Sequence, residues 1–321
     1  MRMTKSPLAG APLWKRAVAI FLRGFISFGA LFICFEISIW IHPPLMAWGL
    51  STMDRKLECS SGEVFRGAQK HKRVVERWQN ILDSSRIVQS DSALNLWRSP
   101  RGDWWIPKGS DRPTLGFLAQ QEQKIYGEGI WGIQKGAIVL DCGANVGVYT
   151  REALDEGASL VIAIEPAPVN VECLRRNLKR EIEEKRVIVV PVGVWDKEDI
   201  LPLYEDPNNS GGDSFVIRGP NDHVVNVPLI SIDKLVHDLN LPRVDFIKMD
   251  IKGATQKALI GAKRVLASSR PGLALSTEEE EDHPAEIRSL VMSLQPAYRA
   301  ACGLCSVGAY KVNPDVLLFR P

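Results

Sequence analysis

From residue 137 onward, short apolar runs alternate with segments of helical spacing. The runs AIVLD (137–141), LVIAIE (160–165) and RVIVVPVGV (186–194) are rich in branched side chains, and residues 171–182 repeat apolar positions on one helical face. Strands that alternate with helices form a mostly parallel sheet covered on both faces. We therefore predict an α/β fold from this region. Further strands are predicted at 244–250, 272–276 and 316–319, and helices at 117–127, 146–156, 254–267 and 287–295.

The start of the chain has a different character. Residues 17–41 form an apolar run that only Arg23 and Glu36 interrupt. A helix of that length rises roughly 37 Å, enough to cross the hydrocarbon core of a bilayer. Trp14 and Trp40 lie near the two ends of the run, where interfacial aromatic residues are favoured. We predict an N-terminal hydrophobic membrane helix, with a buried helix of a soluble protein as the alternative.

The chain is thereby divided into three parts. We predict a membrane segment over 1–50, a basic juxtamembrane helical region over 51–93 and the α/β domain over 94–321. In the second part, RGAQKHKRVVER (66–77) is either a solvated helix face or a contact with anionic lipid headgroups. At the start of the third, LNLWRSPRGDWWIP (94–107) predicts a hairpin whose turn is Pro-Arg-Gly-Asp.

Charge and cysteine spacing restrict the possible partners. The net charge is only +2, with 24% charged and 45% hydrophobic residues, so we expect no nucleic-acid partner. Only Cys302 and Cys305, in CGLC, are close in sequence. Neither a second pair nor histidines at ligand spacing accompany them, so we expect reduced cysteines in a strand or turn, and no metal.

The stretch IVLDCGANVGVY (138–149) places turn-forming residues at the end of a predicted strand. Gly143 and Gly147 allow the backbone to pass close to a ligand, and Asn145 can hydrogen-bond within its own turn. The helix that follows presents unpaired N–H groups at its start. Because ligands bind at the carboxyl ends of strands in such sheets, we predict a binding site at this bend.

Acidic residues at two strand ends indicate the class of ligand. A dinucleotide fingerprint would require glycine where the chain has Asn145 and Val148. Asp141 ends the first strand, and Glu165, 24 residues later, ends the second, where a carboxylate can accept hydrogen bonds from ribose hydroxyls. S-adenosylmethionine, a cationic nucleoside without phosphate, fits these acids better. A nicotinamide-dependent oxidoreductase is the alternative, which the missing glycine disfavours.

Four motifs, VLDCGANVGVYT, VIAIEPAP, VVPVGVWD and VDFIKMDIKGA, resemble the FkbM family of S-adenosylmethionine-dependent methyltransferases over roughly residues 95–320. The resemblance implies a Rossmann-like class I methyltransferase sheet and O-methylation of sugars or other hydroxylated metabolites. Carried over by position, it implies these cofactor-binding residues: Asp141, Gly143, Ala144, Asn145 and Gly147 beside the methionine part, Glu165 and Pro166 at the ribose, Val192, Gly193 and Asp196 near the adenine, and Glu122 and Tyr126 covering the cofactor from outside.

One motif departs from the family pattern. The family usually reads I-K-x-D-x-E-G-x-E, whereas this chain reads IKMDIKGAT, with Lys252 and Thr255 in place of the two glutamates. Lys248, Asp250 and Lys252 point to one side if the strand continues. Asp250 is the first candidate to orient an acceptor hydroxyl or to take its proton. Lys252 is a second catalytic candidate if its pKa is lowered; otherwise it extends to solvent or pairs with the acidic run 278–281.

These observations predict a membrane-attached methyltransferase that acts on a hydroxyl of a sugar, a lipid-linked glycan or another metabolite. The alternative is a catalytically impaired, methyltransferase-like binding module at the membrane, which Lys252 motivates. Because S-adenosylmethionine is cytosolic, we expect the catalytic domain on the cytoplasmic side, attached by a single span or by a helix lying in the leaflet. The loop NNSGGDSF (208–215) is either a mobile lid or acceptor loop of the site, or a plain connection. The acceptor and the oligomeric state are left open.

Overall fold

The computed structural model describes residues 43–53, 59–277, 283–308 and 311–321. The predicted membrane helix at 17–41 and the acidic run at 278–281 lie outside the described residues. Within those ranges, every helix is too short or too polar to span a bilayer.

The strands are listed here in chain order: β1 (Arg86–Ser90), β2 (Leu94–Ser99), β3 (Gly102–Pro107), β4 (Ile138–Cys142), β5 (Leu160–Ile164), β6 (Val187–Val190), β7 (Gly193–Trp195), β8 (Asp199–Glu205), β9 (His223–Ser231), β10 (Phe246–Met249), β11 (Gly272–Ser276), β12 (Arg299–Cys302), β13 (Cys305–Gly308), β14 (Lys311–Pro314) and β15 (Val316–Arg320). The α-helices are α1 (Pro43–Met53), α2 (Ser61–Ser84), α3 (Asp111–Glu122), α4 (Val148–Asp155), α5 (Pro168–Asn177), α6 (Lys179–Glu183), α7 (Ile232–Asp238), α8 (Thr255–Ile260), α9 (Lys263–Ser268) and α10 (Pro284–Leu294).

A seven-stranded sheet forms the centre of the fold, in the order β6-β5-β4-β10-β11-β15-β12. β4 lies at the point where the strand order reverses: Val139 is opposite Val161 of β5 on one side and opposite Phe246 of β10 on the other, both in parallel pairing. β15 pairs antiparallel with both of its neighbours. This mostly parallel sheet has the class I methyltransferase arrangement, so the predicted α/β fold is confirmed.

Helices cover both faces of the sheet because neighbouring strand residues point in opposite directions. Val139 belongs to an apolar layer that includes Leu115 of α3. Leu140, one position later, belongs to the opposite layer, which includes Leu259 of α8 and Ile287 of α10. β4 is therefore buried on both sides, as its mostly apolar sequence predicts, and Asp141 is buried with it.

Three predicted elements differ from the observed ones. The helix predicted at 117–127 begins at Asp111 and ends at Glu122, since Lys124 adopts a left-handed conformation (φ 50°). The predicted strand at 186–194 is divided between β6, in the central sheet, and β7, which pairs with β9 in a small sheet. The predicted helix at 254–267 is interrupted at Gly261, where a side chain would overlap the carbonyl oxygen of Trp195.

α2 packs against α3, and basic residues of α2 take part in this contact. Lys70 pairs with Glu128 at 3.0 Å, Arg73 donates to the Gln123 side chain at 2.9 Å, and Arg77 pairs with Glu122. These cations are therefore held by the last residue of α3 and by the segment that follows it. The predicted hairpin at 94–107 is confirmed as β2 and β3, and β1 extends it to three strands.

The expectation of reduced cysteines at CGLC is wrong for one of the pair. Cys59, just before α2, forms a disulfide with Cys302 of β12 across 243 positions of sequence. Cys305 is a free, buried thiol in the same apolar cluster. Sequence spacing could not reveal this bond, because the fold alone brings the two chain regions to a Cα–Cα distance of 5.8 Å.

Candidate active site

A cleft of about 960 Å³, its open mouth included, lies at the carboxyl ends of the central parallel strands. Its walls come from the segments that directly follow β4, β5, β6 and β10, and from α3 and the loop between β8 and β9. The site therefore lies where the strand order reverses, the usual ligand position in an open α/β sheet.

The bend after β4 has the conformation that its glycines predict. Gly143 has φ 78°, and a side chain there would overlap the carbonyl oxygen of Asp250, so the segments after β4 and β10 are in direct backbone contact. The amides of Gly143 and Ala144 both donate to the carbonyl of Ile164, each at 3.0 Å. Gly147, at φ 93°, opens α4. These contacts fix the bend against the ends of two neighbouring strands.

Glu165 lies at the end of β5, with 4% of its surface exposed, on the wall of the cleft. One carboxylate oxygen accepts from the backbone N–H of Asn145 at 2.8 Å. The other accepts from the backbone N–H of Ala167 at 3.0 Å and from Asn170 Nδ2 at 3.2 Å. Burial raises the pKa of Glu165, and these hydrogen bonds partly oppose the rise. The three donors are neutral, so this carboxylate is well placed to accept further hydrogen bonds from hydroxyl groups.

Asp250 follows β10 and is held by charged and phenolic donors. Tyr126 Oη donates to Asp250 Oδ2 at 2.8 Å, and Lys252 Nζ lies 3.2 Å from Oδ1. Burial pushes the pKa of Asp250 upward, but the charges of Lys252 and Lys248 outweigh it and hold the pKa at about 2. Asp250 is therefore firmly ionised and a weak base.

The alternating pattern places Lys252 on the same side as Lys248 and Asp250 only if the strand continues, and the strand does not continue to Lys252. β10 ends at Met249, and Lys252 occupies a turn (φ 31°) whose carbonyl accepts from Ser214 Oγ at 2.7 Å. Even so, Lys248, Asp250 and Lys252 all line the cleft. The Lys252 side chain is 14% exposed, so it does not extend freely into solvent.

Lys248 is a site residue that the sequence analysis did not assign. Its Nζ donates to the carbonyl of Gly143 at 2.8 Å and lies 3.1 Å from Asp141 Oδ1, beneath the bend. Asp141 is fully buried and accepts from Thr150 Oγ1 at 2.6 Å. The pair Lys248–Asp141 therefore supports the bend from behind. The position of Lys248 in the I-K-M-D motif was the sequence signal that could have identified it as a site residue.

The structure brings most of the predicted site residues together, and leaves four outside the cleft wall. Asp141 lies beneath the bend, and Gly147, its last residue, faces Leu178. Asp196 pairs with Lys257 at 2.8 Å, and Glu122 pairs with Arg77. The predicted residues that line the cleft are Tyr126, Gly143, Ala144, Asn145, Glu165, Pro166, Val192, Gly193, Asp250 and Lys252. Lining residues that were not predicted include Phe117, Gln120, Gln121, Ser210, Asp213, Phe215 and Lys248.

The loop at 208–215 lies over the bend at 143–147, as expected of a lid and not of a plain connection. The Ser210 carbonyl accepts from Asn145 Nδ2 at 3.0 Å and from Asn170 Nδ2 at 3.2 Å, while the Ser210 amide donates to Ser110 Oγ at 2.8 Å. Gly211 packs beneath the ring of Phe117. The loop therefore closes over the bend and is held to the start of α3.

Comparison with known families agrees with this geometry. The model of the methyltransferase FkbM domain matches residues 141–300, which include the bend, Glu165 and the segment after β10. The chain carries an FkbM methyltransferase domain. The resemblance predicted from the four motifs is thereby confirmed.

Solved structures with similarity to this FkbM domain protein share little sequence with it. Methyltransferase FkbM from Methylobacillus flagellatus KT is 18% identical with a TM-score of 0.43; the alignment covers 81% of this chain but only 62%, less than two thirds, of that one. Precorrin-6y C5,15-methyltransferase from Geobacter metallireducens GS-15 is 14% identical with a TM-score of 0.37, covering 62% and 85% of the two chains. No curated protein matches the sequence.

Proposed function

We propose that this protein is an S-adenosylmethionine-dependent methyltransferase that methylates a hydroxyl group. The observation that carries the proposal is the position of Glu165: a buried carboxylate with neutral donors only, in the same cleft as the glycine bend of an FkbM domain. The ribose hydroxyls of the cofactor donate hydrogen bonds to the Glu165 carboxylate at one end of the cleft. The bend at 143–147 accommodates the amino-acid end of the same cofactor.

The residues present fit this cofactor. Within the described part of the chain, Asn145 Oδ1 is buried and accepts no hydrogen bond, so it is available to an ammonium donor. Gly143 lines the cleft, and its close contact with the Asp250 carbonyl fixes the backbone that faces a ligand there. Val192 and Gly193 supply an apolar wall for an adenine. When bound, the cofactor supplies a methyl group on a positively charged sulfur.

The acceptor end of the cleft is built to orient a hydroxyl. Asp250, ionised and fixed by Tyr126 and Lys252, is an acceptor for the O–H of a substrate. Its low pKa makes it a weak base, so we assign it to alignment of the hydroxyl rather than to strong proton abstraction. Methyl transfer depends chiefly on such alignment and on exclusion of water.

The polar groups of the cleft favour a hydroxylated acceptor. Tyr126 and Lys252, which contact Asp250, line the cleft together with Gln120 and Gln121, and the four present phenol, ammonium and amide groups. Such a set can hydrogen-bond several hydroxyls at once, as on a sugar, a lipid-linked glycan or a similar metabolite. This supports a small-molecule or glycan acceptor as the substrate class.

We also propose that residues 17–41 attach the protein to a membrane, with the catalytic domain on the cytoplasmic side, where the cofactor is made. Leu45 and Trp48 of α1, the first described helix after that run, are about half exposed, as suits a helix near lipid. The Cys59–Cys302 disulfide is more typical of oxidising compartments and therefore favours the opposite orientation. Proteolysis of sealed vesicles whose cytoplasmic face is outward tests the orientation: digestion of the catalytic domain only after detergent opens the vesicles would contradict it.

A catalytically impaired binding module is the second candidate, and the Asp250–Lys252 ion pair favours it because it neutralises the carboxylate. To decide, full-length protein in detergent is incubated with methyl-labelled S-adenosylmethionine and a membrane extract. Release of S-adenosylhomocysteine with transfer of label, detected by mass spectrometry, supports methyl transfer. Cofactor binding without release supports the module, and binding of NAD without S-adenosylmethionine contradicts both.

A further inference from the structure

A second acid lies beside Glu165 on the same wall of the cleft. Asp213 belongs to the loop between β8 and β9 that closes over the bend. Asn170 Nδ2 donates to Glu165 Oε1 at 3.2 Å and to Asp213 Oδ2 at 3.4 Å, so one amide bridges the two carboxyl groups. The two acids are therefore close neighbours on the wall that we assign to the ribose.

The charges that face Asp213 are negative. Glu165 approaches from the end of β5, and Glu205 and Asp206 from the end of β8. The two lysines of the cleft are engaged elsewhere, since Lys248 pairs with Asp141 and Lys252 with Asp250. Among the described residues no cation is shared by the two adjacent carboxyl groups, so the two cannot both ionise easily.

The proton therefore belongs to Asp213. Burial, together with the charge of Glu165, raises the pKa of Asp213 to about 8, whereas three hydrogen bonds to Glu165 lower the pKa of that carboxyl against the rise that burial causes. Asp213 Oδ1 accepts from the backbone amide of Asp206 at 2.9 Å, so we place the proton on Oδ2, whose lone pair still accepts from Asn170 Nδ2. At neutral pH the wall then offers a carboxylate and, next to it, an O–H donor.

We propose that Asp213 is a second ribose-binding residue, which donates a hydrogen bond to the sugar beside the acceptor Glu165. The pair matches a vicinal diol, in which one hydroxyl donates and the other accepts. A phosphate on either hydroxyl would meet two acids, so the pair selects unphosphorylated nucleosides. This inference rests on the proposed cofactor, and it adds a specificity residue that the strand-end motifs do not contain.

The test uses methylthioadenosine, which keeps the nucleoside but carries no group that titrates between pH 6.5 and 9. Calorimetry on the full-length protein should show its affinity falling about five- to tenfold over this range, as Asp213 loses its proton. Asp213→Asn keeps a donor at that position, so we expect affinity close to that of the wild type at pH 6.5 and little change at pH 9. The 2′-deoxy and 3′-deoxy analogues should identify the hydroxyl whose contact Asp213→Ala removes.

Asp222→Asn is the matched control, because Asp222 accepts from the Gly219 amide in the same connection but outside the cleft. It should leave both the affinity and its pH dependence unchanged. An Asp213→Asn variant that keeps the full pH dependence of the wild type, or a wild-type affinity that is constant over this range, overturns the inference. Absence of any binding of methylthioadenosine and S-adenosylhomocysteine to the wild type instead overturns the proposed function.

Discussion

Glu165 and Asp250 each follow a strand of the central sheet and line one cleft, yet their surroundings shift their pKa values in opposite directions. Glu165 is held by two backbone amides and an asparagine, and burial raises its pKa. Asp250 is held by a tyrosine and faces two lysines, and its pKa is lowered to about 2. The two ends of the cleft therefore differ in charge although both present a carboxylate.

This difference indicates a division of roles. Neutral donors orient Glu165 without cancelling its charge, so it remains a strong acceptor for sugar hydroxyls. Lysines stabilise the ionised form of Asp250 and weaken it as a base, which suits a group that positions a substrate. The backbone contact between Gly143 and Asp250 joins the two ends, so a change there should affect both.

Gly143→Ala should have the largest effect. The left-handed conformation and the overlap with the Asp250 carbonyl together should lower the free energy of unfolding by about 2–5 kcal/mol. Gly136→Ala is the matched control, since Gly136 has a similar φ of 81° and open space around it; the expected loss is about 1–2 kcal/mol. Urea denaturation measures both, and equal losses would show that the contact between the two ends is unimportant.

Glu165→Ala should distinguish the two ends of the cleft most clearly, through its effect on the affinity for S-adenosylhomocysteine. Loss of a charged acceptor should weaken binding of S-adenosylhomocysteine by about 1.5–3 kcal/mol, or roughly 10- to 150-fold. Asp250→Asn, which changes the other carboxylate, should alter this affinity by less than about threefold. Calorimetry compares the two variants; a larger effect from Asp250→Asn would reverse the assignment of the ends.

Lys252→Met should reveal the role of the ion pair. Without this cation the pKa of Asp250 rises, and the stabilisation of its ionised form is lost as pH falls through the new value. Asp250 stays ionised at pH 7 but loses the contact that fixes its orientation, so we expect turnover there to fall about tenfold, and an acid limb to enter the rate profile between about pH 4 and 6. A variant with wild-type turnover and no such limb would mean that Lys252 has no part in the reaction.

Tyr126→Phe should have the smallest effect of the set. It removes one neutral hydrogen bond to Asp250 while keeping the ring that stands 5.2 Å from Tyr149. Turnover should decrease about two- to tenfold, with unchanged affinity for S-adenosylhomocysteine. Steady-state rates with the identified acceptor provide the measurement, and a loss of cofactor affinity instead would place Tyr126 at the nucleoside end.

The sequence predicted the strands after which the cleft forms, because buried strands and glycine bends are local signals. Gly143, Asn145 and Glu165 were found in this way, and the structure places all three on the cleft wall. Asp196 and Glu122 match the family by position, yet their partners, Lys257 and Arg77, come from distant segments. Position in a motif does not determine which neighbour a long side chain contacts.

Contacts between distant segments could not be predicted. Asp213 lies in a loop without periodicity, and its proximity to Glu165 depends on how that loop folds over the bend. Cys59 and Cys302 are brought together by the packing of α2 against the sheet edge. In each case the deciding interaction is tertiary, so composition and spacing carry no signal for it.

A crystal structure of the full-length protein with S-adenosylhomocysteine tests the central claim most directly. We predict ribose hydroxyls within hydrogen-bonding distance of both Glu165 and Asp213, the amino-acid end of the ligand at 143–147, and its sulfur directed towards Asp250. A nucleoside bound elsewhere, or one whose ribose faces Asp250 while Glu165 retains only its protein donors, would contradict the account.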